Sequence, residues 1–509
     1  MSGRAPWSAN QLQAVFATTS TALLLARLYA SRVVGFGDAE ALYATYVAHP
    51  AAAYVDHPGL VAVLGALAGR GAPPSPEAAH ALTAVLASLV PLAGWGAALL
   101  AGAPPRRAAQ AGLVVALCPA LAIGLFGLTP DLPFAALSLL TIGGVCFAIR
   151  ADAGDFRGDV ALLAAGACAG LATLAKLPGL ALVAWVPLAT WHRRPRWLVV
   201  AAAALALMLM SPVVAQELRS GLPMMRHRFV HTQEAAGFSL RNVAALVGGQ
   251  LLYMSPFVVA AAWATGRAAL RTSCREPVGT ALGALAVCFG VPLGLLCLWS
   301  RVAEPHWFAP TYLPLLLVWA RRPSRTTFTL RLRRPMLPVC AALVVIVHAY
   351  VLTDLFPRFA GRGYDGRYDL ANDMRMFPAA SETLNQALLV ARLRGPTVTV
   401  VAPHWTLASQ LAVVLPPGTR VTTAGRLAAD DDFGRWVPRE ERDASAVIFF
   451  VTDDRFGDSA ALGFTTGRHL ENTTQFPLRR GGRVVRVLQI QTYSAARALA
   501  DMHAPRTAR

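Results

Sequence analysis

Lysine is almost missing from this chain: of 46 basic residues in 509, one is lysine, Lys176, and every other is arginine. Acidic residues are also few, 28 in all, and 15% of residues are charged where a soluble domain carries about 25%. That shortage excludes an ordinary water-soluble enzyme. Cysteine is sparse and odd in number, seven, without metal-ligand spacing, and all but Cys274 lie in apolar runs, so no disulfide framework or zinc site is expected. Internal repeats are absent, as is low complexity beyond alanine-rich runs. The net charge of +18 in so apolar a chain points to an anionic membrane surface and away from nucleic acid.

What fills the chain is apolar sequence, 55% hydrophobic with a mean hydropathy of +0.47. A membrane helix needs roughly 20 apolar residues, and about eleven runs qualify: 12–34, 81–101, 108–125, 132–149, 160–174, 177–191, 198–215, 243–264, 279–300, 307–320 and 336–355. The first is too long for a cleaved signal and lacks a small-residue cleavage site, so it reads as a retained span. Cytoplasmic loops collect arginine. Arg106 and Arg107, Arg150 and Arg157, Arg193, Arg194 and Arg196, Arg267, Arg271 and Arg275, and the arginines from Arg321 to Arg334 fall on alternate loops, which we assign to the cytoplasm. The outward loops are poorer in base: Arg70 in 35–80, none in 127–131, Arg301 near Glu304. The loop 216–242 breaks the pattern with Arg219, Arg226, Arg228 and Arg241, an outward basic cluster suited to a phosphate or to a solvated loop.

Beyond residue 355 the composition turns polar and then β-rich. Residues 1–355 are expected to form the transmembrane domain and 356–509 a small periplasmic α/β domain with a tail. Strands are expected at 398–401, 446–451 and 483–491, and a helix over 381–394 with Ser381 as its N-cap. Asp430, Asp431 and Asp432 read as a solvated turn rather than a metal site, and Asn472 begins a chance glycosylation motif.

Chemistry-bearing residues gather on the outward side. The first outer loop holds Asp38, Glu40, Tyr54, Asp56 and His57, where a carboxylate at the membrane edge suits a base, a cation ligand or a helix cap. Asp131 in Leu-Thr-Pro-Asp-Leu-Pro-Phe is explained as a helix start. Lys176, in Gly-Leu-Ala-Thr-Leu-Ala-Lys, is an ammonium in a chain that otherwise uses arginine, which fits a compact phosphate pocket or a lysine snorkelling from a helix end. Arg226, His227, Arg228 and His231 follow, and Glu304-Pro305-His306-Trp307 closes the set.

In this order the segments resemble the bacterial GT-C glycosyltransferases related to the protein O-mannosyltransferases and the lipid A aminoarabinose transferase. The similarity rests on Tyr54-Val55-Asp56-His57-Pro58, with Gly59 where the family has a second proline, on Thr129-Pro130-Asp131, on Gly170-Leu171 through Lys176, and on Glu304-Pro305-His306-Trp307. Ala39 separates Asp38 from Glu40, which are adjacent acids in the family. The resemblance implies a GT-C fold polytopic α-helical membrane protein of about 11 transmembrane helices with a small C-terminal periplasmic α/β domain. It also implies a hexosyl- or pentosyltransferase that takes a sugar from a polyprenyl-phosphate donor to an envelope lipid, glycan or protein acceptor, with inversion. Asp38 or Glu40 would be the base, with Asp38 favoured, and Lys176, Arg228 and Arg226 would hold the donor phosphate. Tyr54, Asp56, His57, Asp131, Glu304 and His306 would line the sugar and acceptor site. A divalent cation is an open question, with Asp38, Asp131 and Glu304 as candidate ligands. The arginine bias points to a GC-rich bacterium and so to its inner membrane. A transporter or flippase is the alternative, but it calls for paired halves or matched broken helices, which the sequence lacks; a non-catalytic envelope scaffold is a third reading.

Overall fold

The computed structural model describes residues 8–234, 236–272, 276–300, 302–321, 327–361, 363–424, 431–456, 465 and 467–495. Cys274, Arg275, Arg301, Arg322, Arg325 and Asp430 lie outside the described residues, as do the side chains of Arg271, Arg331, Arg333 and Arg334. The chain divides into two compact units, Met1–Tyr29 with Ala51–Val63 and His80–His348, and Ala30–Pro50 with Leu64–Ala79 and Ala349–Arg509.

From the N-terminus, α1 (Ala9–Ala30) is followed by the short α2 (Asp38–Thr45) and α3 (Leu60–Ala68), then α4 (Pro76–Leu100), α5 (Pro105–Leu117), α6 (Pro119–Ala122), α7 (Asp131–Arg150), α8 (Phe156–Ala175), α9 (Gly179–Thr190), α10 (Arg196–Arg219) and α11 (Pro223–Phe229). Next come α12 (Leu240–Tyr253), α13 (Pro256–Thr272), α14 (Pro277–Trp299), α15 (Tyr312–Arg321) and α16 (Thr327–Leu352). Every apolar run is thus helical. Among the described residues, α4, α7, α8, α10, α14 and Pro335–Leu352 of α16 are long and apolar enough to cross a bilayer, six helices, or seven with α12 and α13 taken as one span bent by 106°. The remaining runs are broken or short for physical reasons. Pro119 opens α6 directly after the extended Cys118, Lys176 leaves α8 in an extended conformation with Pro178 before α9, and Ser255 bends α12 from α13 at a φ of 73°.

With lipid outside, these helices gain little by burying apolar surface against one another, so close contact of small residues holds them. On α8, Gly166 and Gly170 lie one turn apart. A Cβ on Gly166 would stand 2.3 Å from the Ala202 carbonyl oxygen of α10, and one on Gly170 2.6 Å from that of Ala206. This Gly-x-x-x-Gly pattern sets how near α10 comes to the helix that ends at Lys176. Elsewhere in the first unit Arg27, 1% exposed, donates from Nε and Nη2 to the Ala122 carbonyl oxygen at 3.2 and 2.6 Å. Its charge thus serves the open C-terminal end of α6.

The second unit carries α17 (Leu355–Phe359), α18 (Leu370–Arg392), α19 (Trp405–Val414), α20 (Asp432–Trp436) and α21 (Arg439–Asp443) with five strands: β1 (Val398–Ala402), β2 (Arg420–Thr423), β3 (Val447–Asp453), β4 (Arg468–Arg480) and β5 (Arg483–Ala495). The sheet order is β2-β1-β3-β5-β4, parallel between β1 and its neighbours β2 and β3 and antiparallel across β5. Central β3 is buried along its length, as its apolar run Val-Ile-Phe-Phe-Val requires. The β4–β5 hairpin turns on Gly481 and Gly482, with φ of 58° and 82°, the left-handed pair that a tight two-residue turn demands.

Two expectations are corrected in this unit. Ser381 is not an N-cap: α18 starts eleven residues earlier, where the Asp369 carboxylate accepts the Ala371 N–H at 3.0 Å, and Ser381 turns its hydroxyl back to Pro378 O. The three aspartates are not all solvated either. Asp431 caps α20 through the Gly434 N–H, and Asp432 is buried and accepts the Tyr46 hydroxyl at 3.1 Å. The unexpected β4 has few apolar residues because it is an edge strand, which also tolerates Pro477.

Gly166→Ile is expected to force α8 from α10 and destabilise the protein by about 1–3 kcal/mol. Thermal unfolding of the detergent-solubilised protein should show a lowered Tm; an unchanged one would contradict the close contact.

Candidate functional site

In the first unit the segment 51–59 folds back on itself. The Tyr54 N–H donates to His57 O at 2.9 Å, and the Gly59 N–H to Ala52 O at 2.8 Å. Gln216 of α10 acts as a strand partner for this loop: its Oε1 accepts the Ala52 N–H and its Nε2 donates to Ala53 O, each at 2.7 Å. A Cβ at residue 59 would meet Ala51 O at 2.4 Å, and a proline there would also lose the N–H donated to Ala52. Glycine at 59 is therefore a requirement of this loop. Tyr54 is 2% exposed, and its hydroxyl accepts the Ala51 N–H at 3.0 Å, so it secures the loop from within.

The loop presents Asp56 and His57 to α11. Arg228 on that helix donates from Nη2 to Asp56 Oδ1 at 2.5 Å and to the Asp56 carbonyl at 2.8 Å, and its guanidinium lies 5.1 Å from the centroid of the Trp307 ring. Glu217, 3% exposed, accepts the backbone N–H groups of Met224 and Met225 at 3.3 and 3.1 Å, which fixes the start of α11. Gln216 and Glu217 thus position both halves of the Asp56–Arg228 pair. Neither was marked by the sequence, where they sit at the edge of the basic loop. Arg226 was expected beside Arg228, but two helical residues apart put the guanidinia on different faces. Arg226 is exposed, and its guanidinium makes no hydrogen bond or ion pair among the described residues.

Lys176 pairs with Asp131, Nζ to Oδ1, at 2.7 Å. The lysine side chain is 10% exposed and the aspartate 31%. Each charge sits where a helix dipole favours it, the ammonium at the C-terminal end of α8 and the carboxylate at the first residue of α7. Asp131 is therefore more than a helix start. Glu304 Oε2 lies 3.1 Å from His306 Nδ1, and that hydrogen bond holds the Glu304 carboxyl below its ordinary range despite burial. Gln250 Nε2 donates to Pro305 O at 2.7 Å, which fastens the Glu304–Trp307 segment to α12.

These pairs share one electrostatic neighbourhood. The charges of Lys176 and Asp131 act on both His57 and Glu304. Burial first, and then Arg228 and Lys176, push His57 down to about 4 against the pull of Asp56. Its neutral Nε2 stands 3.3 Å from Asp56 Oδ2 and 3.4 Å from Arg228 Nη2. A neutral ring nitrogen donates to the carboxylate or accepts from the guanidinium, one at a time.

Asp38 and Glu40 belong to the second unit. Glu40, 5% exposed, accepts the Gly37 N–H on Oε2 at 2.9 Å and so closes the N-terminus of its own helix α2. Asp38 accepts from Gln410 Nε2 on Oδ1 and pairs with Arg455 Nη1 through Oδ2, each at 3.1 Å. The three candidate metal ligands are each occupied by a donor: Asp38 by Arg455, Asp131 by Lys176 and Glu304 by His306. Among the described residues no group of three or more His, Cys, Asp or Glu side chains is placed to hold a metal ion.

By sequence, no family model and no curated protein matches the chain. Solved structures do. ArnT from Cupriavidus metallidurans in its apo state aligns over 94% of this chain and 98% of its own with a TM-score of 0.59 and 15% identity. The same protein bound to undecaprenyl phosphate aligns over 95% and 98% with a TM-score of 0.60, again at 15% identity. The chain has the GT-C fold. With its apolar helices, that fold makes it a multi-pass membrane protein, and the GT-C frame accommodates the ion pairs of the first unit and the small sheet of the second.

A histidine held neutral by its surroundings makes the fold acid-sensitive. Above about pH 6.5 the imidazole is neutral whether folded or not. As pH falls from 6.5 toward the folded value of about 4, only the unfolded chain gains a proton, and stability falls by about 3 kcal/mol. His57→Gln should flatten the Tm-against-pH curve in that window; an equally steep acid loss in the variant would contradict the assignment.

Proposed function

We propose that the protein is a membrane glycosyltransferase that moves a sugar from a polyprenyl-phosphate donor to an envelope lipid, glycan or protein hydroxyl on the periplasmic face of a bacterial inner membrane. The observation that carries this reading is the pair of cations Lys176 and Arg228, each held by one aspartate, Asp131 and Asp56, within a shared field. Support also comes from the common fold with ArnT, which has been crystallised with undecaprenyl phosphate.

The chemistry suits such cations. The acceptor oxygen attacks the anomeric carbon from the face opposite the phosphate, the C1–O bond to phosphate breaks with inversion, and the hydroxyl proton passes to a carboxylate. The phosphate goes from a diester with about one negative charge to a monoester with nearly two, so a fixed cation beside it binds the transition state more tightly than the ground state. The leaving group needs no general acid. Lys176 supplies a compact ammonium to the phosphate and Arg228 a planar donor pair, while Asp56, His57, Asp131, Glu304 and His306 shape the sugar and acceptor side. Arg226 serves as a peripheral contact. The base role goes to Asp38, the acid that comes first as the chain leaves the first span.

Transfer from labelled undecaprenyl-phosphate sugars to a bacterial envelope extract, measured in liposomes, tests the reading. Label should move into one extract fraction, and Lys176→Ala should lower the rate about a hundred-fold or more while the protein stays folded. Undiminished transfer by that variant would remove Lys176 from the mechanism. Asp38→Asn should abolish turnover and Glu40→Gln should retain it; two fully active variants would overturn the base assignment.

A further inference from the structure

The second unit contains a buried charge cluster that the reading of Asp38 leaves unused. Arg455 follows β3 and donates from Nε to Asp453 Oδ1 and Oδ2 at 3.2 and 3.0 Å, while its Nη2 lies 2.9 Å from Oδ2 as an ion pair without a hydrogen bond. Its remaining Nη1 faces Asp38 Oδ2 at 3.1 Å and Asp373 Oδ1 of α18 at 3.6 Å. Arg486 of β5, wholly buried, pairs with Asp373 at 2.5 Å and lies 3.8 Å from Asp453. On the opposite side of Asp38, Gln410 of α19 is 2% exposed and divides its amide between Phe36 O at 2.9 Å and Asp38 Oδ1 at 3.1 Å.

We propose that Arg455 and Gln410 are positioning residues for Asp38: they aim one N–H donor at each of its carboxylate oxygens and so fix its orientation for its work as a base. This rests on the reading of Asp38 given under Proposed function. Two features separate the arrangement from a simple anchor for α2. Asp453 already neutralises Arg455, so the guanidinium edge facing Asp38 is surplus to its own burial. Donors also cover both oxygens of Asp38, where one would fasten the helix.

The charge balance supports the same conclusion. Among the described residues three carboxylates, Asp38, Asp373 and Asp453, meet two guanidinia, Arg455 and Arg486, and the Asp38 charge also acts on His404. Burial and the Asp38 charge push Asp373 up to about 6, and burial with Arg455 holds His404 down.

The test is the pH profile of kcat/KM for sugar transfer by the full-length protein in liposomes, using the labelled undecaprenyl-phosphate sugar that wild type accepts. A donor lost from a carboxylate raises the pH at which it takes a proton. Arg455→Gln and Gln410→Leu should each move the acid limb upward by about one pH unit, a tenfold rise in proton affinity, with KM for the donor unchanged. Arg455→Lys, which keeps the charge, should restore most of the limb. Should Arg455→Gln fail to fold, Gln410→Leu carries the test alone, because it removes a donor and no charge. Limbs that stay at the wild-type pH while Asp38→Asn is inactive would leave Asp38 as the base and reduce Arg455 and Gln410 to packing, which overturns the proposal. Normal transfer by Asp38→Asn, or none by wild type, would sink the base reading and the proposal together.

Discussion

An ammonium at the end of an apolar helix has to be neutralised where it stands, because lipid offers no solvent to do so. Lys176 meets that condition by ending α8 where the helix carbonyls are open and by reaching Asp131 at the start of α7. Much of the first unit follows from this contact. Gly166 and Gly170 bring α10 against the helix that carries the lysine, and α10 in turn carries Gln216, which fastens the 51–59 loop, and Glu217, which fixes the start of α11. The field of Lys176 extends to His57 and Glu304. One pair of opposite charges thus organises a region in which Asp56 and Arg228 pair, Glu304 meets His306 and His57 is held neutral.

A cation held by a single carboxylate differs from one locked in a network. The Lys176–Asp131 and Arg228–Asp56 pairs are each partly exposed on the acid side, so under the proposed function an incoming phosphate would gain two cations whose desolvation has largely been met in folding. The Arg455 and Arg486 cluster of the second unit is of the other kind, with several carboxylates per cation and little exposure. Such a cluster suits holding one group in place, because removing any one partner would leave a buried charge uncompensated.

The apolar runs were legible because hydropathy needs no tertiary information, and all eleven are helical. Their breaks were less so: the one at Lys176 falls between two expected runs, whereas Cys118 and Ser255 interrupt runs that hydropathy reads as continuous. The oddity of one lysine among arginines was enough to single out Lys176, while its partner Asp131, taken alone, read as a helix start and entered the candidate site only through the resemblance. Sequence order alone favoured Asp38 over Glu40, and it could not show that the Glu40 carboxylate turns back to the start of its own helix. Arg455 and Gln410 were invisible for a plainer reason: they lie 417 and 372 residues from Asp38 and belong to no local pattern. In the C-terminal part, β4 was missed because an edge strand has no need of apolar alternation, and Ser381 misled because a serine inside a helix can bond backward to a carbonyl instead of capping.

Under the proposed function Lys176 would exchange Asp131 for the phosphate of its lipid. The most direct measurement is the affinity of the purified protein for undecaprenyl phosphate, compared among wild type, Lys176→Ala and Asp131→Asn. Loss of the ammonium should weaken binding at least tenfold, about 1.4 kcal/mol, whereas Asp131→Asn, which frees the ammonium of its competitor, should bind as tightly as wild type or more tightly. Equal affinity in all three proteins, or equal weakening in both variants, would contradict the exchange and leave the pair a structural one.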